Sequence, residues 1–320
     1  MSVLVFADSS DGKFKKSAFE VVSYGNRVAA QMGTSVVVVA INASEVTELY
    51  TYGAETVVTV TNPQLTTFNA KAYASVIQQV AVAENANVVV LGSGINVLHI
   101  APMLAVAMDA GYVSNVVALP TDVAAFTVKR KAFSNKGFSN TQIATENKII
   151  GVAKNSFGVH ENNVSGTTES FDAEISEADF GVSSVKVEKA SGKVTIADAD
   201  TVVSAGRGLK GPENWEMIEE LASVLGAATA CSKPVSDLGW RPHGEHVGQT
   251  GKPVASNLYI AIGISGAIQH LAGINASKVK VVINTDPEAP FFKAADYGIV
   301  GDAFEVVPVL IEKLKAFKAA

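Results

Sequence analysis

The sequence predicts an α/β protein with two doubly wound parallel-sheet domains, and three observations support this prediction. Its 320 residues are enough for about two domains of ordinary size. In both halves of the chain, short runs of β-branched residues alternate with segments of helical period, as in parallel sheets covered by helices. A polar stretch, Asn155–Gly181, interrupts this alternation once.

The first half of the chain contains strand-like runs that are apolar almost throughout, as expected for strands buried on both faces of a sheet. We expect these strands at Val3–Ala7, Ser35–Ile41, Thr56–Val60 and Asn87–Leu91, with two more, at Phe126–Lys131 and Lys148–Ala153, added antiparallel at one edge. Apolar residues at helical spacing from Ala18 to Met32 predict a helix, and Ala70–Asn85 predicts a second one.

Asn155–Gly181 is rich in Asn, Ser, Thr, Gly and acidic residues and has no sustained period, so it can bury little apolar surface. We expect a loop, or an arm lying across a surface. The predicted domains are therefore residues 1–192, which include a loop or arm at 155–192, and residues 193–320.

The second half resumes the alternation of strands and helices. The predicted strands are Thr201–Ala205, Ala227–Ala230, Leu258–Ile264, Val279–Ile283 and Gly298–Val300. Helical spacing predicts helices over Asn214–Leu225, Gly266–Gly273 and Phe304–Phe317. A parallel sheet is expected here too, because helices separate most of the successive strands.

Each predicted strand of the second half is followed by glycine, small hydroxyl, amide or charged residues. These residues are Ser204–Gly211, Ser232 and Lys233, Ser265 and Gly266, Asn284, and Gly301 and Asp302. In an open parallel sheet such positions share the carboxyl edge, where ligands bind. The sequence therefore predicts one extended polar ligand along that edge.

Gly206, Gly208 and Gly211 spell G-x-G-x-x-G between a strand and a helix, which is the context of a dinucleotide fingerprint. A tight glycine turn would produce the same spacing. The carboxylate that holds an NAD ribose is missing about 20 residues further on, so ordinary NAD binding is disfavoured. Gly248–Lys252 is too short for a phosphate loop and continues into Pro253, which excludes a P-loop nucleotide triphosphatase.

Composition excludes several other classes of function. The net charge is -6 and no run of basic residues is long, so nucleic acid is not an expected partner. No apolar stretch is long and uninterrupted enough for membrane insertion, and the N-terminus shows no signal or transit peptide. With Cys231 as its one cysteine the chain forms no internal disulfide, so a reducing, cytoplasmic location is expected.

The sequence predicts neither a metal site nor catalytic residues. His243 and His246 lack an acid or cysteine at ligand spacing, which indicates a solvated loop. Cys231 ends a predicted strand, where a free cysteine usually serves as a small buried apolar residue. His270 follows Ser265 and Gly266 at the predicted ligand edge, and it is either a ligand-facing or a core histidine.

Three segments identify a family. VGQTGKPVASNLYIAIGISGAIQHLAGI and VVINTDPEAPFFKAADYGIVGDAFEVVP, both within Val247–Val307, closely resemble the C-terminal domain of the α subunit of electron transfer flavoprotein. SAGRGLK at Ser204–Lys210 matches the same family upstream. The resemblance covers about a third of the chain in specific motifs. It implies a Rossmann-like C-terminal domain that holds FAD at the contact with a β subunit.

The resemblance also implies which residues bind FAD. These are Arg207, Ser232, Lys233, Val247, Gly248, Gln249, Thr250, Ser265, Gly266, Ala267, Ile268, Gln269, His270, Asn284, Asp302 and Ala303. By this resemblance, Thr250 lies near the reactive nitrogen of the flavin and a partly positive His270 near its pyrimidine end. Asn284, Asp302 and Ala303 match the positions that bind the adenosine half.

Lys233 departs from the family, which usually has arginine after the serine that corresponds to Ser232. Lysine keeps the positive charge but lacks the planar guanidinium that can lie on a ring. We expect Lys233 to keep the electrostatic role of this position. We do not expect it to make the contact with a ring that an arginine would make.

The resemblance implies an electron carrier rather than an enzyme, working as a heterodimer in electron transport and fatty acid β-oxidation. Electrons would come from flavin dehydrogenases such as acyl-CoA dehydrogenases and go to a membrane quinone oxidoreductase. Two alternatives stay open: a subunit of a flavin-based bifurcating complex that uses NADH, and a dinucleotide-binding module without redox turnover.

Overall fold

The computed structural model describes residues 2–133, 135–187, 195–196 and 199–319. It divides into two units, Met1–Glu188 and Lys189–Ala320. The domain boundary predicted between residues 192 and 193 lies outside the described residues. Each unit is built on a sheet of mainly or entirely parallel strands with helices between them, which confirms the predicted fold class.

Among its described residues, the first unit contains eleven strands and three α-helices. Its strands are β1 (Ser2–Phe6), β2 (Ser9–Ser10), β3 (Lys13–Phe14), β4 (Ser35–Ile41), β5 (Thr56–Val60), β6 (Ala86–Leu91), β7 (Ala110–Val116), β8 (Thr127–Ala132), β9 (Gly137–Gln142), β10 (Asn147–Val152) and β11 (Thr167–Ser170). Its helices are α1 (Lys16–Met32), α2 (Ala70–Ala83) and α3 (Ile95–Ala107).

Nine of these strands form one sheet in the order β11-β5-β4-β1-β6-β10-β7-β8-β9. The strands from β11 to β7 pair in parallel, and β8 and β9 are antiparallel at one edge. Along β1, Val3 and Val5 pack in the core cluster that contains residues of α1, whereas Leu4 and Phe6 pack in the cluster that contains residues of α2 and α3. Both faces of the sheet are therefore covered, because successive side chains of a strand point to opposite faces.

The position predicted for β10 was wrong. We expected Lys148–Ala153 to be an antiparallel edge strand, but β10 is parallel and lies between β6 and β7. Ile149 and Ile150 face opposite sides of the sheet and both are fully buried, so the strand needs a position that is covered on both faces. The companion prediction, an antiparallel strand at Phe126–Lys131, corresponds to β8 and is confirmed.

Residues 155–182, which we call the arm, lie across the first unit. At its start the buried carboxylate of Glu20 accepts hydrogen bonds from the backbone N–H groups of Asn155 (2.8 Å), Phe157 (2.9 Å) and Gly158 (2.9 Å). Its middle forms β11, which pairs with β5. Near its end the Lys71 ammonium donates to the carbonyl of Ala178 at 2.7 Å.

The second unit has a five-stranded sheet and four α-helices among its described residues. Its strands are β12 (Thr201–Ala205), β13 (Ala228–Cys231), β14 (Leu258–Ile262), β15 (Val279–Asn284) and β16 (Tyr297–Val300). Its helices are α4 (Glu216–Leu225), α5 (Lys233–Asp237), α6 (Ile268–Ile274) and α7 (Ala303–Ala319). All strand pairs are parallel, in the order β13-β12-β14-β15-β16.

Candidate functional site

The carboxyl edge of the second sheet is the candidate site. Because all five strands are parallel, the residues that follow them lie along this one edge. The strand order reverses between β12 and β14, and ligands of open α/β sheets bind in the crevice at such a switch point. Arg207 and Gly208 follow β12 at this point, and Gly263–Gly266 follow β14.

At the switch point the backbones after β12 and β14 pass each other closely. The N–H of Gly208 donates to the carbonyl of Gly263 at 3.2 Å, and a Cβ on Gly208 would lie 2.6 Å from the Cα of Gly263. Gly263 also has a φ of +61°, which disfavours other residues. No side chain fits between Gly208 and Gly263, so a ligand can approach the backbone directly at this point.

The G-x-G-x-x-G spacing therefore has a structural cause at its second glycine. Tight turns occupy Arg207–Leu209 and Pro212–Trp215, and α4 begins only at Glu216. In a dinucleotide fingerprint the glycines open the helix directly, and its N-terminus binds pyrophosphate. Glu216 and Glu219 in the first turn of α4 instead disfavour an anion at that terminus. The turn explains the glycines better than the fingerprint does.

Ser232 and Lys233 follow β13 and begin α5. The buried Ser232 donates its backbone N–H to the carbonyl of Ala205 at 3.1 Å, which ties the end of β13 to the end of β12. Lys233 is exposed, and its positive charge contributes to lowering the pKa of the buried His246. The main cause of the lowered His246 pKa is burial.

The loop Val247–Thr250 is held between β13 and α6. The N–H of Val247 donates to the carbonyl of Cys231 at 3.0 Å, and the N–H of Gln249 donates to the carbonyl of Gln269 at 2.8 Å. A Cβ on Gly273 of α6 would lie 2.6 Å from the Cα of Gly248, so this contact requires a bare backbone. The predicted residues of this loop and of Ser265–His270 are thus brought together.

His270 lies in the first turn of α6 and is buried, with 6% of its surface exposed. Its Nε2 is 2.9 Å from the hydroxyl of Tyr259 on β14, and its Nδ1 has no hydrogen-bond partner within the described ranges. Burial lowers the pKa of His270, the neighbouring His246 contributes to the same effect, and the resulting pKa is about 4. The imidazole is neutral near pH 7 in this environment, which does not support the partly positive His270 that we expected.

Asn284, Asp302 and Ala303 end the row at β15 and β16. The Asn284 side chain donates to the carbonyl of Ile264 at 3.1 Å, which links the ends of β15 and β14. The Asp302 carboxylate accepts from the N–H of Phe304 at 3.0 Å and so caps the first turn of α7. The side chains of Asn284 and Asp302 therefore stabilise the local structure at this edge, in addition to any contact with a ligand.

The thiol of Cys231 and the histidine pair do not form a reactive centre. Cys231 is fully buried and burial raises its pKa to about 12, so it stays a protonated thiol. The His243 and His246 rings are 5.4 Å apart, centroid to centroid. In the part of the chain that the structure describes, no three or more His, Cys, Asp or Glu side chains are grouped to hold a metal ion.

Sequence reasoning missed three residues of this site: Tyr259, Gly263 and Phe291. Tyr259 and Phe291 stack at a centroid distance of 6.5 Å, and both rings contact that of His270. Nothing in the local pattern distinguishes them from ordinary core residues. Of the three, only Gly263 could have been recognised from the sequence, because it interrupts a strand-like apolar run immediately before Ser265 and Gly266.

The described edge suits an extended cofactor such as FAD. It offers five strand ends, a backbone crossing at Gly208 and Gly263 that keeps side chains away, and a buried ring nitrogen of His270 without a partner among the described residues. An orphaned buried polar atom at a ligand edge fits a polar group of a bound cofactor.

The sequence matches two families along most of its length. The family described as "Electron transfer flavoprotein domain" matches residues 3–181. The family described as "Electron transfer flavoprotein FAD-binding domain" matches residues 195–275. The second match includes every predicted site residue from Arg207 to His270, and Asn284, Asp302 and Ala303 lie beyond it.

Curated relatives agree with these matches. "Electron transfer flavoprotein subunit alpha" of Bacillus subtilis is 37% identical over 98% of this chain and 97% of that protein. The protein of the same name from Thermoanaerobacterium thermosaccharolyticum is 35% identical over 99% of this chain and 98% of its own length. "Electron transfer flavoprotein subunit alpha, mitochondrial" of Dictyostelium discoideum is 53% identical, over 45% of this chain and 40% of that protein.

Proposed function

Because the chain belongs to the electron transfer flavoprotein family, as an alpha subunit, we propose that it pairs with a beta subunit to form an FAD-dependent electron carrier. FAD is the cofactor of the domain that matches residues 195–275, and this segment lies in the second unit. The observation that carries the proposal is the meeting of five parallel strand ends at a switch point within that unit.

In this proposal each predicted residue has a role that its position supports. FAD supplies the redox chemistry by accepting and releasing electrons, while the protein binds, orients and tunes it. Arg207 and Lys233 are exposed at the edge and provide positive charge for the anionic parts of the cofactor. The Val247–Thr250 loop and Ser265–His270 form one wall, and Asn284, Asp302 and Ala303 hold the adenosine half.

We further propose the direction of electron flow and the location. Flavin dehydrogenases, such as the acyl-CoA dehydrogenases of fatty acid β-oxidation, are the donors, and a membrane quinone oxidoreductase is the acceptor. No helix in the described part of the chain has the length and apolar character needed to cross a membrane. A cytoplasmic location agrees with the single buried cysteine, which needs no oxidising compartment.

The test is to purify the chain with its coexpressed beta subunit and identify the cofactor that acid releases. We expect FAD at one per alpha chain, and reduction of the complex by a flavin dehydrogenase with its substrate. Release of FMN, or a complex without flavin, contradicts the proposal. NADH oxidation that requires a low-potential acceptor would instead support the bifurcating alternative.

A matched pair of arginine variants tests the site. Arg207→Ala should lower the FAD content of the purified complex, because it removes a positive charge at the switch point. Arg27→Ala removes an exposed arginine from α1 in the first unit and should leave the FAD content unchanged. Equal FAD content in both variants would remove Arg207 from the site.

A further inference from the structure

Tyr259 is the buried partner of the site histidine. It lies on β14 between β12 and β15, and no part of its surface is exposed. Its hydroxyl is 2.9 Å from Nε2 of His270, which is the one hydrogen bond that the ring makes within the described residues. The fully buried Tyr259 side chain thus helps to hold His270 in its position at the ligand edge.

Phe291 fixes the geometry of this pair. It is fully buried, its ring is within 7° of parallel with Tyr259, and its centroid is 6.0 Å from that of His270. The Phe291 ring packs against the Tyr259 ring, and tightly packed buried side chains keep one rotamer. The hydroxyl oxygen of Tyr259 therefore stays beside His270. The hydrogen bond is therefore part of a rigid group.

A neutral imidazole carries one N–H and one lone pair, so a bond at one nitrogen decides what the other can do. Burial keeps both His270 neutral and Tyr259 protonated, since it lowers the pKa of His270 and raises that of Tyr259. Among the described residues the buried Tyr259 hydroxyl has no hydrogen-bond partner other than Nε2 of His270. If Nε2 carried the proton, the O–H of Tyr259 would stay buried and unpaired, so the contact favours donation by Tyr259 and an N–H on the other ring nitrogen.

We propose that Tyr259 is a positioning residue: its O–H donates to Nε2 of His270 and thereby keeps the ring proton on Nδ1. His270 then presents an N–H donor, rather than a lone pair, toward the loop and cofactor edge. The consequence for FAD rests on the function proposed above. The tautomer itself is a property of this chain and does not depend on that function.

The test measures the His270 tautomer by ¹⁵N NMR in the alpha–beta complex labelled with ¹⁵N-histidine, with His270→Asn identifying the signals. We expect the wild type to show the Nδ1–H form. Tyr259→Phe keeps the ring that stacks on Phe291 and removes the donor, so its His270 signals should move toward the Nε2–H form. An Nε2–H form in the wild type, or an unchanged spectrum in Tyr259→Phe, overturns the proposal. If Tyr259→Phe does not fold, the wild-type spectrum alone still decides.

Tyr24→Phe is the matched control. Tyr24 is another fully buried tyrosine, in the first unit, and its hydroxyl donates to the carbonyl of Ala118 at 3.0 Å. This variant also loses one buried hydrogen bond, but it should leave the His270 signals unchanged. A similar change in both variants would indicate general loosening and would contradict a positioning role.

FAD affinity gives a second readout. We expect Tyr259→Phe to weaken FAD binding by roughly three- to tenfold, the effect of one hydrogen bond, and Tyr24→Phe to leave it unchanged. In a His270→Asn background, Tyr259→Phe should have no further effect, because its action passes through His270. Additive losses in the double variant overturn the positioning role. A wild-type complex that binds no FAD refutes the proposed function instead, while the tautomer remains measurable.

Discussion

Burial makes His270 a residue whose protonation opposes folding. Its pKa is about 4 in the folded chain, against an ordinary value of 6.5. Between these values the unfolded chain binds a proton that the folded chain does not, so stability falls as the pH falls through this window. We expect His270 to cost about 2 kcal/mol of unfolding free energy between pH 7.5 and pH 5. Denaturant unfolding at the two pH values measures it.

The control for this pH effect is a change of residue that removes the titrating ring. His270→Gln should flatten the loss of stability between pH 7.5 and pH 5. His99→Gln removes an exposed histidine from α3 in the first unit and should retain the full loss. Identical slopes in the two variants would show that another group causes the acid sensitivity.

Lys233 is the exposed, positively charged residue that follows β13. As a positive charge at the carboxyl edge, it should favour the reduced, more negative form of bound FAD. We expect Lys233→Ala to lower the first reduction potential, on the order of tens of mV after solvent screening, and Lys233→Arg to restore it. Spectroscopic redox titration of the complex measures both.

Lys278→Ala is the matched control for Lys233. Lys278 is exposed in the same unit but directly precedes β15, at the amino edge of the sheet. This variant should titrate like the parent protein. If Lys233→Ala does so as well, the Lys233 side chain points to solvent and does not tune the flavin.

Among the elements, the strands β4, β5 and β12 have the bounds that the sequence predicts, because continuous apolar runs between turn residues mark them clearly. α3 was not predicted, since Ile95–Ala107 is apolar on nearly all sides and shows no helical stripe. Ile95 and Val106 are in fact exposed, so burial does not follow the pattern there. β11 was missed because its four residues are all exposed and its pairing with β5 is made by the backbone.

Glu20 of α1 anchors the start of the arm. The Glu20 carboxylate accepts three backbone N–H groups, whereas a glutamine offers one acceptor oxygen and an NH₂ group facing donors. We expect Glu20→Gln to lower the unfolding free energy by about 1–3 kcal/mol, the cost of buried donors left unpaired. Amide hydrogen exchange at residues 155–158 should accelerate more than elsewhere.

Glu48→Gln controls for the loss of a negative charge. Glu48 is exposed in the first unit and lies in a turn at Thr47–Tyr52. It should change neither the unfolding free energy nor the exchange rates of the arm. Slow exchange retained at residues 155–158 in Glu20→Gln would mean that other contacts hold the arm.

At the scale of the whole molecule, we propose that residues 183–187, just beyond the arm, are open to proteases. The arm's contact nearest its end is the hydrogen bond from the side chain of Asn69 to the carbonyl of Val182, at 2.7 Å. Val185, just beyond it, is fully exposed. Limited proteolysis should therefore cut first between residues 183 and 187 and release two stable fragments, analysed by mass spectrometry. First cleavage within 155–182 would contradict this placement.

The sequence predicts that the candidate residues share one edge of the sheet, but it does not predict the contacts among them. Parallel strands bring their ends to one edge, so the residues after β12 to β16 had to meet there. The crossing of Gly208 and Gly263 depends on how distant segments pack, and the bond between Tyr259 and His270 depends on how α6 packs against β14. No local period records such contacts, because they are made between different elements.

The central position of β10 has a consequence for synthesis on the ribosome. β10 separates β6 from β7, yet β7, β8 and β9 leave the exit tunnel before it. At ordinary translation rates of about 5–20 residues per second, the nascent chain waits seconds with two unpaired strand edges. Such edges attract other strands and recruit chaperones. We therefore expect nascent chains arrested before Asn147 to be bound by chaperones, and those extended well past Val152 to be released.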